Sequence, residues 1–223
     1  MQILSHRGYW QHPAEKNTEA AFRRSFWLGY GTETDLRDRD GTLVIAHDMA
    51  TAADMTLATF LEIYREDGNG LPLALNIKAD GLHASLKAAL ADAGVRNAFV
   101  FDMSVPDTLG YQRIGLPFFT RLSDLEPAPA LLEAAQGVWL DSFGPEDWIT
   151  VATLTPLLAT GKTVCLVSPE LHKRPHQPFW QRLQAFACAA ETHLMLCTDF
   201  PEEATAFFGP LVQSSREAAR VAA

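Results

Sequence analysis

Cysteine is scarce and odd in number, 3 in 223 residues, which excludes a disulfide-framed scaffold. Positive charge is scarce too: 18 Lys and Arg face 27 Asp and Glu, a net charge of −9. Such a chain repels phosphate backbones, so nucleic acids and anionic membrane surfaces are disfavoured as partners. Any phosphate it handles must be held by a local basic cluster or a metal. No apolar run reaches the ~20 residues of a membrane-spanning helix. The opening Met1-Gln2-Ile3-Leu4-Ser5-His6-Arg7-Gly8 lacks the basic and apolar regions of a secretory leader. Free thiols without a leader lead us to expect a cytoplasmic protein. A Gly-rich G-x-G-x-x-G turn is also missing after the first apolar run, which weakens a dinucleotide-binding reading.

What is present is an ordinary globular composition, 48% hydrophobic and 20% charged, in a chain long enough to bury a sizeable core. No linker, repeat or low-complexity tract divides it. One domain is expected over 1–213, with a polar, Ala-rich tail at 214–223 that frays. Short apolar runs predict strands at 3–5, 32–37, 71–78, 99–103, 117–122, 137–143, 163–167 and 193–198, with a further short apolar piece at 43–46. Helical spacing predicts helices at 17–28, 56–65, 82–93, 106–114, 130–135, 155–159, 178–189 and 202–208, the first capped by Asn17 or Thr18. Eight alternating units imply an α/β fold with a parallel sheet, a (β/α)8 TIM barrel near the short end of its size range. A doubly wound open sheet is the competitor.

In a barrel, chemistry gathers at the C-terminal ends of the strands. His6 and Arg7 end the first strand. Glu33 and Asp35, two apart, share one face of the second. His47-Asp48 follows the short apolar piece, and Asn76 and Lys78 end the third strand. Asp102, Arg121, Asp141 and Asp199 end later strands. An apolar strand rarely carries a buried carboxylate without a partner or a metal. Glu33 and Asp35 suit a hard divalent cation. Arg7 and Lys78 suit a phosphate. His6 and His47 titrate near neutrality and suit acid–base work. The bland readings stand beside these. Glu33 and Asp35 can be partners of Arg37 or Arg39 on an exposed edge. His12, His83, His172 and His176 read as surface side chains. The five tryptophans read as packing anchors. Cys165 and Cys197 read as inert core thiols.

Taken together, these pieces resemble the glycerophosphodiester phosphodiesterase family, within the wider phosphatidylinositol-specific phospholipase C-like group. The pieces are Ser5-His6-Arg7-Gly8; Asn17-Thr18 leading to Ala21-Phe22; Gly31-Thr32-Glu33-Thr34-Asp35-Leu36; Asp40-Gly41 leading to His47-Asp48; and Thr198-Asp199-Phe200-Pro201. Their order and spacing are far more specific than any one of them. The resemblance implies a TIM barrel, a divalent cation (Mg2+ or Ca2+), and cleavage of a small-molecule phosphodiester. It implies His6 and His47 as the acid–base pair, Arg7 and Lys78 on the phosphate, and Glu33 and Asp35 on the metal.

Three departures accompany it. The family's third metal carboxylate is replaced by Asn76, whose carbonyl can bind the cation but brings no charge, unless Asp141 reaches in. The Glu before Asn-Thr is Lys16, which either points away or alters the polarity of the site. Residues 49–55 alone separate His47-Asp48 from the next helix, so a more open pocket is expected and the alcohol of the substrate is not readable. Two other functions compete: a phosphate-binding barrel without hydrolysis, and a Schiff-base enzyme using Lys78. Oligomeric state is not legible.

Overall fold

The computed structural model describes residues 1–186 and 193–211. The expected tail at 214–223 and the end of the 178–189 helix, from 187, lie outside these residues. Eight strands run parallel: β1 (Gln2–His6), β2 (Gly31–Arg39), β4 (Leu73–Ile77), β5 (Ala98–Phe101), β6 (Phe119–Leu122), β7 (Gly137–Leu140), β8 (Thr163–Val167) and β9 (Leu194–Thr198). The order around the sheet is β5-β4-β2-β1-β9-β8-β7-β6. The two ends meet where Val100 N donates to Pro117 O at 3.0 Å, beside a bridge between Val100 and Phe118. The result is a nearly closed barrel, and the open-sheet alternative falls.

The 43–46 piece is a strand in its own right, β3 (Thr42–Ile45), antiparallel to β2. Asp40 and Gly41 turn the chain with φ of 50° and 80°. Two positive φ values in succession match the right-handed strand twist, and Asp-Gly accepts them cheaply. This hairpin carries the chain from β2 back to the mouth, where His47 follows.

Helices α1 (Glu19–Trp27), α2 (Leu57–Ile63), α3 (His83–Asp92), α4 (Val105–Ile114), α5 (Val151–Ala159), α6 (Gln177–Gln184) and α7 (Pro201–Phe208) cover the outside. Thr18, not Asn17, caps α1, accepting from Ala21 N. A wide turn over Tyr64–Gly68 extends α2. There the backbone passes so close to Phe26 that a Cβ on Gly68 would lie 2.7 Å from its ring. α5 starts earlier than the proline suggests, because Thr150 and Thr153 form a reciprocal cap and Pro156 sits inside the helix.

The helix expected at 130–135 is not formed. Pro127 and Pro129 hold the preceding residues extended, Leu131 takes φ 57°, and Thr120 Oγ1 donates to Ala130 O. Only one turn remains there, with Ala134 and Ala135 N both donating to Leu131 O.

The barrel interior is filled from alternate positions of each strand: Leu4, Ala74, Phe99, Phe101, Phe119, Trp139, Cys165, Val167, Met195 and Cys197. Phe99 stacks on Phe119 at 3.7 Å and Phe101 on Trp139 at 3.8 Å. Each such pair adds about 0.5–1.5 kcal/mol beyond its buried area. Cys165 and Cys197 lie wholly inside this plug, where burial pushes both thiols up, as befits inert core residues. Two further clusters pack helices against the outer face of the strands. Among the described residues no helix is long and apolar enough to cross a membrane.

Candidate active site

The same alternation that fills the plug decides what lies above it. Leu4 points inward, so His6 does too. Its register partner is Glu33, and Asp35 pairs with Asn76 on the neighbouring strand. Arg121 and Asp141 follow inward-facing Phe119 and Trp139 by two residues. The polar layer is therefore continuous with the core and caps it at the C-terminal mouth.

Glu33 and Asp35 are buried, at 2% and 0% exposure, which removes the exposed-edge alternative. Arg37 instead donates to His47 O and Arg39 to Thr51 O. Asp35 is well attended. Asn17 Nδ2 donates to its Oδ2 at 3.0 Å, Arg7 Nε lies 2.8 Å from the same oxygen, and Lys78 Nζ lies 3.5 Å from Oδ1. Arg7 and Asn17 both hold φ near 60°. Glu33 has fewer partners. Burial, and then the Asp35 charge, push its carboxyl up to about 8, against the pull of Arg7, Lys78 and a hydrogen bond with Asn76.

Four buried atoms in this layer lack an aligned hydrogen-bond partner: the acceptors Glu33 Oε2, Asp35 Oδ1 and Asn76 Oδ1, and the donor Arg7 Nε. Buried polar atoms are seldom left so. Arg7 Nε and Asp35 Oδ1 still have ion-pair partners in Asp35 Oδ2 and Lys78 Nζ, so Glu33 Oε2 and Asn76 Oδ1 are the hard oxygens left for a divalent cation. The donor set is thus chemically suited to a metal, with Asn76 supplying an uncharged third oxygen. Among the described residues no group of three His, Cys, Asp or Glu side chains is arranged for a metal. A cation here would rest on two carboxylates and an amide.

His6 is largely buried. Its Nδ1 lies 2.7 Å from Asp199 Oδ1 and its Nε2 lies 3.9 Å from Glu33 Oε2. An ionised carboxylate only accepts, so Nδ1 carries the proton and Nε2 is bare toward the mouth. Burial lowers the His6 pKa, and the bond to Asp199 opposes that without overcoming it. His47 stands apart on the rim, 45% exposed, with Nδ1 2.9 Å from Asp48 Oδ1. An open cavity of about 630 Å3 joins it to Arg7, Lys16 and Asn17. Lys16 points into the site: its Nζ lies 3.9 Å from Asp199 Oδ2 and 4.4 Å above the Trp10 ring.

Asp141 is not brought to Glu33 and Asp35. Strands β1, β9 and β8 separate β7 from β2. Asp141 Oδ1 instead accepts from His172 Nε2 at 2.7 Å and from Ser142 N at 2.8 Å. His172 is therefore a mouth residue, not a free surface one. His176 is a correction as well. It is 6% exposed, against the Trp180 and Phe200 rings, with Nε2 3.0 Å from Glu203 Oε1. His12 is exposed and His83 half-buried, both away from this layer.

Sequence reasoning missed the parts played by Asn17 and Asp199. Asn17 looks like a helix cap, and only its position beside Thr18, the better cap, hints at another task. Asp199 was legible as a carboxylate at a strand end, without its partner.

No protein-family model matches the chain, and no curated protein matches its sequence. Solved structures do match. A glycerophosphodiester phosphodiesterase from Agrobacterium tumefaciens superposes with a TM-score of 0.70 at 17% identity, covering 92% of this chain and 99% of its own. One from Parabacteroides distasonis gives 0.69 at 14%, covering 93% and 96%. One from Thermotoga maritima gives 0.60 at 15%, covering 92% and 97%. The fold is that of the glycerophosphodiester phosphodiesterases. At such low identity the likeness speaks for the barrel and its connections, and the residues must speak for the chemistry.

Proposed function

We propose that the protein is a metal-assisted phosphodiesterase acting on a small diester, of the glycerophosphodiester phosphodiesterase type. One observation carries this: two buried carboxylates, Glu33 and Asp35, the Asn76 amide and the Arg7 guanidinium meet in the polar layer at the mouth, with Glu33 Oε2 and Asn76 Oδ1 left without a hydrogen-bond partner. A cation would satisfy both oxygens.

Arg7 and Lys78 take the non-bridging phosphate oxygens. His6, kept neutral by burial, accepts through Nε2 the proton of the attacking hydroxyl or water. Asp199 holds the imidazolium that results. His47, on the rim, gives a proton to the departing alcohol oxygen. When bound by Glu33, Asp35 and Asn76, Mg2+ or Ca2+ supplies Lewis-acid stabilisation of charge on phosphorus-bound oxygens. Lys16, beside Asp199, adds a third cation on the His6 side. A Schiff-base role for Lys78 is disfavoured, since its ammonium pairs with Asp35.

The reading includes a place in lipid-headgroup turnover, supported by the fold neighbours. Asn76 and the inward Lys16 favour a second reading, a phosphate-binding barrel without hydrolysis. A panel of glycerophosphodiesters with varied alcohols, assayed for released alcohol with Mg2+, with Ca2+ and with chelator, separates the two. Cation-dependent release supports hydrolysis and names the alcohol. Phosphate binding without release from any member supports the second reading.

A further inference from the structure

Glu170 is a buried carboxylate that the proposed chemistry does not use. It follows β8 in the turn Pro169–His172, and its side chain is 8% exposed. Burying a carboxylate is costly unless hydrogen bonds satisfy it. Three do. Ser168 Oγ donates to Oε2 at 2.5 Å, Thr198 Oγ1 donates to Oε1 at 2.5 Å, and Asp199 N donates to Oε1 at 3.1 Å. Two of these donors are consecutive residues on the neighbouring chain segment, at the end of β9. Among the described residues the basic group within 4 Å is His176 Nδ1, at 3.9 Å from Oε2. Trp180 Nε1 in turn donates to Ser168 Oγ, so the carboxylate is fixed from both sides.

We infer that Glu170 is a positioning residue that acts on His6 through Asp199. By gripping Thr198 Oγ1 and Asp199 N, it fixes the backbone from which the Asp199 carboxylate reaches His6 Nδ1. That bond keeps the proton on Nδ1 and leaves Nε2 bare toward the mouth. Without Glu170 the Asp199 amide loses its acceptor, and the carboxylate is free to leave His6 for Lys16, 3.9 Å from its other oxygen. The inference deepens the phosphodiesterase reading and rests on His6 as its base, yet the tautomer of His6 exists whether or not the protein turns over a diester.

The test therefore reads both. Long-range 15N–1H correlation spectra of labelled protein report the His6 tautomer directly. Wild type is expected to show a single Nδ1–H form. Glu170→Ala, and Glu170→Asp, which is too short to reach both β9 donors, are expected to show mixed tautomers. Their kcat on a diester is expected to fall on the order of 10- to 100-fold, with KM nearly unchanged. Glu170→Gln keeps an Oε1 acceptor for both donors and is expected to restore the single tautomer and most of kcat. A single Nδ1–H tautomer in folded Glu170→Asp or Glu170→Ala overturns the inference. So does Glu170→Gln behaving like Glu170→Ala. If no variant nor wild type hydrolyses any diester, the phosphodiesterase reading fails, and the spectra still decide the role of Glu170.

Discussion

Glu33 and Asp35 share one face of β2 but not one environment. Asp35 has Asn17, Arg7 and Lys78 around it within 3.5 Å, whereas Glu33 has Asn76 as its hydrogen-bond partner and, among the described residues, no cation as near. A strand that spends a fully buried carboxylate in this way gains nothing in stability from it. The consequence is a carboxyl that holds its proton until a cation displaces it.

The first prediction concerns pH. The folded pKa of Glu33, about 8, lies above its ordinary value of 4.5. Glu33 therefore favours the fold below its unfolded pKa, and this contribution is lost as pH rises through the folded value. Without divalent cations the protein should lose stability as pH rises from about 4.5 to about 8. Glu33→Gln should flatten that slope and melt higher at pH 8, while losing activity. Thermal melts with chelator across this range check it, and an unchanged slope in Glu33→Gln would contradict it.

The second concerns the missing charge at position 76. Asn76→Glu places a third carboxylate beside the two on β2. Divalent cations should bind at least tenfold tighter, which is about 1.4 kcal/mol. The same variant should melt lower than wild type in chelator, because three carboxylates then repel one another. Calorimetric titration with Mg2+ and Ca2+ measures the first effect, and melting the second.

The third isolates Asn17. Its side chain links Asp35 Oδ2 to Thr34 Oγ1, and its backbone is left-handed at φ 60°. Asn17→Gly should cost ~1–3 kcal/mol, from an acceptor and a donor left unpaired. Asn17→Ala should cost ~1 kcal/mol more, since alanine also resists that φ. Equal losses in urea melts would show that the backbone conformation relaxes freely.

The fourth tests packing behind α1. Gly68→Ala drives a Cβ into the ring of Phe26, which Phe60 and Tyr64 hold in place. A loss of ~1–3 kcal/mol is expected, with cation binding unchanged.

How far the sequence carries can be read from these same residues. Alternating runs placed all eight parallel strands, and the two-residue spacing put Glu33 and Asp35 on one face, as the register shows. His6 was placed at a strand end, and there it is. What stayed hidden was pairing across the barrel. Asp199 meets His6 only because β9 lies beside β1, 193 residues away in the chain. Asp141 sits at a strand end like the others, but its strand faces them across the mouth. The missing helix at 130–135 was a local failure. Its spacing was helical, and two preceding prolines and a left-handed Leu131 outweighed it.

The central claim is that this mouth hydrolyses a phosphodiester with a cation and His6. It is tested most directly by the initial rate on bis(p-nitrophenyl) phosphate, measured against Mg2+ or Ca2+ concentration for wild type and His6→Asn. The account predicts a rate that rises to saturation with cation, vanishes in chelator, and falls at least 100-fold in a folded His6→Asn. A rate indifferent to cation and to His6, or no rate at any cation concentration, would contradict it.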